Sequence, residues 1–172
     1  TEGTVVPLAL VSTPDPDDAN KVIAGIAAGG LSLPDRDYYF RGDEATRKIR
    51  DAFLEYVTKM SELLGDRPEA SAASAKAVFD FESTLAKASL TAAARRDPYQ
   101  TTQRMDFEKV RALAPVYDWQ GAFALLKIPA STPIDVEQPE FVKAYGAQIE
   151  SAPLDTWKTW LRWRLGSARA PY

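Results

Sequence analysis

A chain of 172 residues that is 45% hydrophobic and 26% charged has the make-up of a folded globular protein, with one ordinary core as the default. Its formal net charge of −3 supplies no positive field for a phosphate backbone, so nucleic acid is excluded as an expected partner. Histidine and cysteine are both absent, which excludes disulfides, thiolate nucleophiles, histidine-assisted serine catalysis and a histidine-ligated zinc within this chain.

The first elements are short. Val5-Val6-Pro7-Leu8-Ala9-Leu10-Val11 and the run Val22 to Ala28 read as two arms of a β-hairpin, joined by the turn formers Ser12-Thr13-Pro14-Asp15-Pro16-Asp17-Asp18. A helix capped by Asp17 or Asp18 is the competing reading, weakened by Gly25 and Gly29-Gly30. Pro7 suits an edge position, because it has no N–H to give to a ladder. Gly29 to Tyr39 is a connection with two flexible glycines and a fixed φ at Pro34.

Helical periodicity dominates from Asp43 onward. Asp43 caps a predicted helix that buries Ile49, Phe53, Tyr56, Val57, Met60, Leu63 and Leu64 and ends near Gly65. Pro68 opens a second, predicted to reach about Ala94 with Val78, Phe79, Phe81, Leu85, Ala86 and Leu90 inward, before Arg95-Arg96-Asp97-Pro98 stops it. Asp106 caps a short helix over Phe107 to Leu113, and Asp118 another carrying Trp119, Phe123 and Leu126. Ile134-Asp135-Val136 is a brief extended piece. Pro139 starts a helix over Glu140 to Ser151, with Phe141, Val142, Tyr145 and Ile149 inward. In the last helix Asp155 can cap, and Trp157, Trp160, Leu161, Arg164 and Leu165 follow helical steps. No internal repeat or dividing linker emerges. No apolar run approaches the roughly 18 residues of a membrane span, and Thr1-Glu2-Gly3 has neither a basic region nor a signal core, so membrane contact by this segment is not expected.

Candidate chemistry is sparse. Asp15, Asp17 and Asp18 lack the spacing of a calcium loop and read as turn and cap residues. Gly29-Gly30 lacks the further glycine or Gly-Lys-Ser/Thr of a phosphate loop. Asp35, Arg36 and Asp37 beside Tyr38 and Tyr39 read as an internal polar network rather than a binding patch. Arg95, Arg96 and Asp97 read as helix-end capping and docking rather than carboxylate binding. Glu55, Glu62, Asp80 and Glu82 could pair as glycosidic acids only if they faced each other across a substrate. Trp157, Trp160 and Trp163, with Arg162 and Arg164, read as a core stripe with basic flanks. No catalytic, cofactor-binding or metal-binding residue is assigned.

Gly29-Gly30-Leu31-Ser32-Leu33-Pro34-Asp35-Arg36-Asp37-Tyr38-Tyr39 resembles the GGLGLPDRDYY motif of the neprilysin and endothelin-converting-enzyme family of zinc metallopeptidases, peptidase family M13, and Asp15 and Asn20 fit the strand pair before it. Phe81-Glu82 to Leu85-Ala86, Arg95-Arg96-Asp97-Pro98 and Met105 are similar to its E..LA…RDP…YNKM segment. Leu113-Ala114-Pro115 with Asp118-Trp119 resembles its LAP..DW, and Gln138-Pro139 with Phe141 and Thr156-Trp157-Lys158 with Leu161-Arg162-Trp163 match later signatures. Ser32 departs from the usual glycine, and Thr102-Gln103 from the common Tyr-Asn.

The resemblance implies a mostly α-helical lobe with a short N-terminal β-hairpin, residues 1–172 forming one segment of the non-catalytic N-terminal lid of a larger two-lobed enzyme. It implies zinc in a catalytic domain outside this chain, an HExxH helix there, and an extracytoplasmic location. The implied partners are the catalytic lobe of the same polypeptide and, in the parent enzyme, peptide substrates. Apolar surface cut off from its native neighbour could support self-association. A stand-alone helical scaffold or protein-binding module is the alternative.

Overall fold

The computed structural model describes residues 6–15 and 17–169. In chain order the elements are β1 (Leu8–Asp15), β2 (Asp18–Ala28), α1 (Asp37–Phe40), α2 (Glu44–Leu63), α3 (Pro68–Ala88), a 3-10 turn (Ala94–Arg96), α4 (Pro98–Thr101), β3 (Arg104–Met105), α5 (Phe107–Leu113), α6 (Trp119–Leu125), β4 (Ile134–Val136), α7 (Pro139–Ser151) and α8 (Leu154–Arg169). The fold is mostly helical, with an N-terminal hairpin. It divides into two compact units, one holding Gly30–Lys87 with α8, the other Pro7–Gly29 with Ala88–Ser151.

In the second unit, β1 and β2 pair antiparallel from Leu8↔Ala28 to Asp15↔Asp18, so the hairpin stands and the capped-helix alternative falls. The turn is shorter than the run of turn formers suggested, because Ser12, Thr13 and Pro14 remain in the ladder. β1 is the edge strand, where a proline lacking its N–H is tolerated. Val5 lies outside the described residues. Pro7 sits just before the ladder, and its carbonyl accepts from Gly29 N at 2.7 Å. The acidic residues act as turn formers: Asp15 Oδ1 accepts from Asp17 N at 3.0 Å and Asp18 Oδ1 from Asn20 N at 3.1 Å.

β4 joins β2 in parallel and β3 antiparallel, giving the order β1-β2-β4-β3. Sequence pattern alone did not show β3 or this pairing. Consecutive Ile23 and Ala24 are both buried, so both faces of β2 are covered and its alternation does not separate core from solvent. Arg104 on β3 pairs with the carboxylates of Asp15 and Asp17, tying the hairpin tip to the far edge of the sheet. Gln103 N donates to Asp135 Oδ1 at 2.8 Å.

The helices of this unit begin where local capping chemistry allows. Asp106 accepts from Lys109 N at 2.8 Å and Asp118 from Gly121 N at 2.8 Å. Leu126, expected on the helix carrying Trp119, is its C-cap and is exposed. Pro139 opens α7, whose Phe141 and Val142 are buried while Tyr145 and Ile149 are half-buried. α7 approaches Ala114 so closely that a Cβ on Gly146 would lie 2.7 Å from the Ala114 Cβ.

In the first unit, the Asp43 side chain accepts from Thr46 N at 2.9 Å to cap α2. α2 ends in a Schellman arrangement: Asp66 N reaches Ser61 O at 3.0 Å, Gly65 N reaches Glu62 O at 2.9 Å, and Gly65 has φ +97°. Its buried line is narrower than the expected stripe. Thr46, Phe53, Val57 and Ser61 are buried, whereas Ile49, Tyr56, Leu63 and Leu64 are exposed, because the buried ridge follows the i, i+4 row Phe53, Val57, Ser61.

α3 stops at Ala88 rather than near Ala94. The reason lies far away in sequence: Gln138 Oε1 accepts from Leu90 N at 2.7 Å and draws the chain off the helical path. On this helix Phe79 is half-buried, and Leu90 lies beyond its end. α8 starts at Leu154, so Asp155 sits inside the first turn instead of capping it, and pairs with Lys158. The buried face of α8 carries Trp160 and Trp163; Leu161 and Leu165 are exposed. With Leu64, Lys158, Arg162 and Arg169 they line an open, largely apolar groove.

Gly146→Ala is expected to destabilise the protein by about 1–3 kcal/mol through overpacking against Ala114, while Gly42→Ala, where nothing lies within 4 Å of the new methyl, leaves stability nearly unchanged. Denaturant unfolding of both variants checks this; equal midpoints would contradict the close approach.

Candidate functional site

The most concentrated polar chemistry is a single carboxylate. α3 packs the row Val78, Phe81, Leu85 inward, and Glu82 lies on the same face, next to Phe81. Its side chain is fully buried. Oε1 accepts from the Ser32 hydroxyl at 2.8 Å and from Trp160 Nε1 at 3.0 Å. Oε2 accepts from the Tyr39 hydroxyl at 2.7 Å and from Ser32 N at 3.0 Å. Four donors therefore meet the two oxygens, the number of acceptor positions an ionised carboxylate offers.

The donors come from three places that the connection and two helices bring together. Tyr39 on α1 donates to Glu82, and its oxygen accepts from both Ser32 N and Leu33 N at 3.1 Å. Its ring stacks on Phe79 with centroids 5.5 Å apart. Ser32 Oγ, having donated to Glu82, accepts from Trp163 Nε1 at 3.0 Å and lies 3.4 Å from Arg164 Nη1. Trp160 packs on Phe81 at 5.3 Å, and Trp163 meets Phe53 and Tyr56 edge-on at 5.8 and 5.5 Å. Asp35 Oδ1 accepts from Asp37 N at 2.8 Å, and Arg50 on α2 donates to Tyr38 O at 3.0 Å and to Arg41 O at 2.7 Å, securing the end of α1.

Electrostatics follow from burial. Loss of hydration pushes the Glu82 carboxyl above its ordinary value of 4.5, against the downward pull of the hydrogen bonds from Tyr39, Ser32 and Trp160. Burial also raises the Tyr39 hydroxyl, and the neighbouring Glu82 charge raises it further, so Tyr39 stays a neutral donor.

The remaining sequence candidates fall into place singly. In the connection Asp35 accepts from Asp37 N and Arg36 lies 3.8 Å from the Asp37 carboxylate; of the tryptophan stripe, Trp160 and Trp163 are buried and Trp157 is half-buried. The acids do not assemble as a pair: Asp80 pairs with Lys76 and Glu62 with Lys59, leaving Glu82 alone in the interior. Arg95 and Arg96 end the 3-10 turn in exposed positions, and Asp97 caps α4 by accepting from Tyr99 N at 3.0 Å. Sequence reasoning missed Glu82 as an organising centre. The available signal was a glutamate flanked by Phe81 and Leu85 on a helix face expected to be buried.

Several family-like landmarks prove to be fastenings. Ala114 O accepts from Trp119 Nε1 at 2.9 Å and from Tyr117 N at 3.1 Å, linking the Leu-Ala-Pro and Asp-Trp segments. Zinc finds no fit here: the chain has no histidine or cysteine, and among the described residues no three acidic, histidine or cysteine side chains come close enough to hold a metal. Among the same residues no helix is long and apolar enough to cross a membrane.

Stability should respond strongly to this centre. Glu82→Leu strands the Tyr39 and Ser32 hydroxyls and the Trp160 indole N–H as donors, and is expected to cost at least about 3 kcal/mol in denaturant unfolding. Because the folded-state carboxyl lies above its ordinary value, the native state binds this proton more readily than the unfolded chain. The resulting contribution is fully present below pH 4.5 and is lost as pH rises through the folded-state value. A stability difference between the parent protein and Glu82→Gln that does not change across that window would contradict this assignment.

Comparison with known proteins agrees with this architecture. The N-terminal model of peptidase family M13 matches residues 2–172. An endothelin-converting enzyme homolog of Locusta migratoria is 33% identical over 135 residues, covering 75% of this chain and 18% of its own length. Endothelin-converting enzyme 1 of Cavia porcellus is 27% identical over 156 residues, covering 88% and 21%. The open state of the Mycobacterium tuberculosis zinc metalloprotease Zmp1 superposes with a TM-score of 0.87 at 25% identity, covering 99% of this chain and 26% of that one. PepO from Lactobacillus rhamnosis shares the fold, with a TM-score of 0.77 at 17% identity, covering 95% of this chain and 26% of that one. The chain thus spans about a fifth of the length of these curated relatives, and it belongs to peptidase family M13, as a stretch of that family's N-terminal domain.

Proposed function

We propose that this chain is a non-catalytic part of a zinc-dependent metalloendopeptidase, shaping and covering the cavity in which the parent enzyme holds peptides. The observation that carries this reading is the match to the N-terminal family model over residues 2–172, together with the superposition on a zinc metalloprotease at 25% identity. The interior of the chain supports it: the buried Glu82, Asp135 and Gln138 side chains are engaged in holding the fold. On this reading the zinc and the general base belong to the catalytic domain of the parent polypeptide, consistent with a chain that has no histidine or cysteine.

On this reading the partners are the catalytic lobe of the same polypeptide and peptide substrates. A covering domain acts by excluding water and by limiting which chains enter, so its contribution is desolvation and size selection rather than bond cleavage. The apolar groove lined by Leu64, Leu161 and Leu165 is where the separated chain would self-associate.

Two measurements test the proposal. The reading frame past the codon for Tyr172 is expected to encode an HExxH helix and a later glutamate ligand; a stop there would favour a stand-alone scaffold. The full-length enzyme is then expected to cleave short peptides and to lose activity steeply as substrate length grows. Cleavage that does not depend on length would contradict the covering role.

A further inference from the structure

Helix α2 is buried along Phe53, Val57 and Ser61, but a second row on it is open. Ala45, Ile49, Ala52, Tyr56, Lys59 and Leu63 follow one another at alternating steps of four and three residues, and every one of them is exposed. Ile49 is 40%, Tyr56 48% and Leu63 72% exposed. Alternating steps of four and three keep a row on one side of a helix over several turns, which is the spacing of the seam between two helices wound side by side. A strand laid along the row would present its side chains at the wrong period.

The relief of the surface agrees. Ala52, Glu55, Tyr56 and Lys59 border a wide hollow, and they stand at i, i+3, i+4 and i+7, the corners of a hole that takes one side chain of a facing helix. Alanine at 45 and 52 lets a second backbone come close, and the Tyr56 ring is steadied by its edge-on contact with Trp163 at 5.5 Å. Lys59 is the break in the row; its ammonium lies 3.9 Å from Glu62, and its alkyl stem can cover apolar surface. Along one edge of the row run Lys48, Glu55 and Glu62, with Lys48 already paired to Glu44, so that edge favours a basic neighbour.

We propose that α2 is one half of a helix–helix seam, and that its other half is a single helix of the parent polypeptide outside this chain, with apolar residues at three- and four-residue steps and Lys or Arg facing Glu55 and Glu62. This rests on the reading given above only in so far as it makes the chain a portion of a longer polypeptide, and not on the covering role. Zmp1 superposes on 99% of this chain with 26% of its own, so most of such a protein remains to supply the helix. The row from Ala45 to Leu63 runs about 27 Å along the helix axis, and helices packed in this way cross at about 20°.

Thiol labelling of the full-length protein, followed peptide by peptide by mass spectrometry, reads the seam. Relative to its rate in the unfolded protein, Ala52→Cys is expected to react with a maleimide at least about tenfold more slowly than Asp51→Cys, its neighbour on the charged side of the helix. Ala45→Cys, on the same row, is expected to behave as Ala52→Cys does, and gives the reading if a thiol at 52 disturbs folding. The protection is expected to persist on dilution, and a benzophenone side chain in place of Lys59 is expected to capture one helix of the same polypeptide. Equal rates at 51 and 52, protection that fades on dilution as a contact between two copies would, or capture of a non-helical segment would each overturn the seam. A protein that protects position 52 yet cleaves peptides without regard to length refutes the covering role and keeps the seam; the reverse pair of results refutes the seam alone.

Discussion

A carboxylate taken out of water is tolerated only where donors replace its lost hydration, and Glu82 meets that condition by drawing in Ser32, Tyr39 and Trp160. The constraint propagates outward. The connection between β2 and α2 must bend back so that its backbone N–H groups reach Tyr39 and Glu82. α8 must present tryptophan nitrogens rather than apolar rings alone. A segment with little regular structure is in this way bound as firmly as a helix, because its polar groups find their partners inside the fold.

The second unit solves a different problem by a similar route. A small sheet with a short edge strand has few ladder bonds, and side chains supply the remainder. Arg104 joins the hairpin tip through Asp15 and Asp17, Asp135 takes the Gln103 amide, and Gln138 takes the Leu90 amide. Residues that in another setting would suggest metal binding or acid catalysis are occupied with backbone and neighbouring charges.

What was legible in the sequence was local. Asp43, Asp106 and Asp118 announce helix starts because a capping carboxylate and its N–H lie three residues apart, and Gly65 announces a helix end because it alone tolerates the positive φ that the stop requires. Pro139 and the 134–136 strand were equally readable. Illegible were the effects of contacts between distant residues. Glu82 meets Ser32 across 50 positions and Trp160 across 78, and Leu90 leaves the helix because of Gln138, 48 residues on. Periodicity also overstated the buried face of α2, since helical spacing marks candidate contacts without saying how many neighbours exist to cover them. The family-like landmarks carried this long-range information in compressed form: Ser32, Tyr39, Glu82 and Trp163 all stand within or beside them.

Glu82 and the connection are held to act as one unit rather than as neighbours. A double-mutant cycle on unfolding free energy with Glu82→Gln and Tyr39→Phe measures that directly. A coupling above about 1 kcal/mol is predicted, because each change leaves the other's partner stranded. Additivity within about 0.5 kcal/mol would contradict it, and would mean that the connection is held by its packing and not by the buried carboxylate.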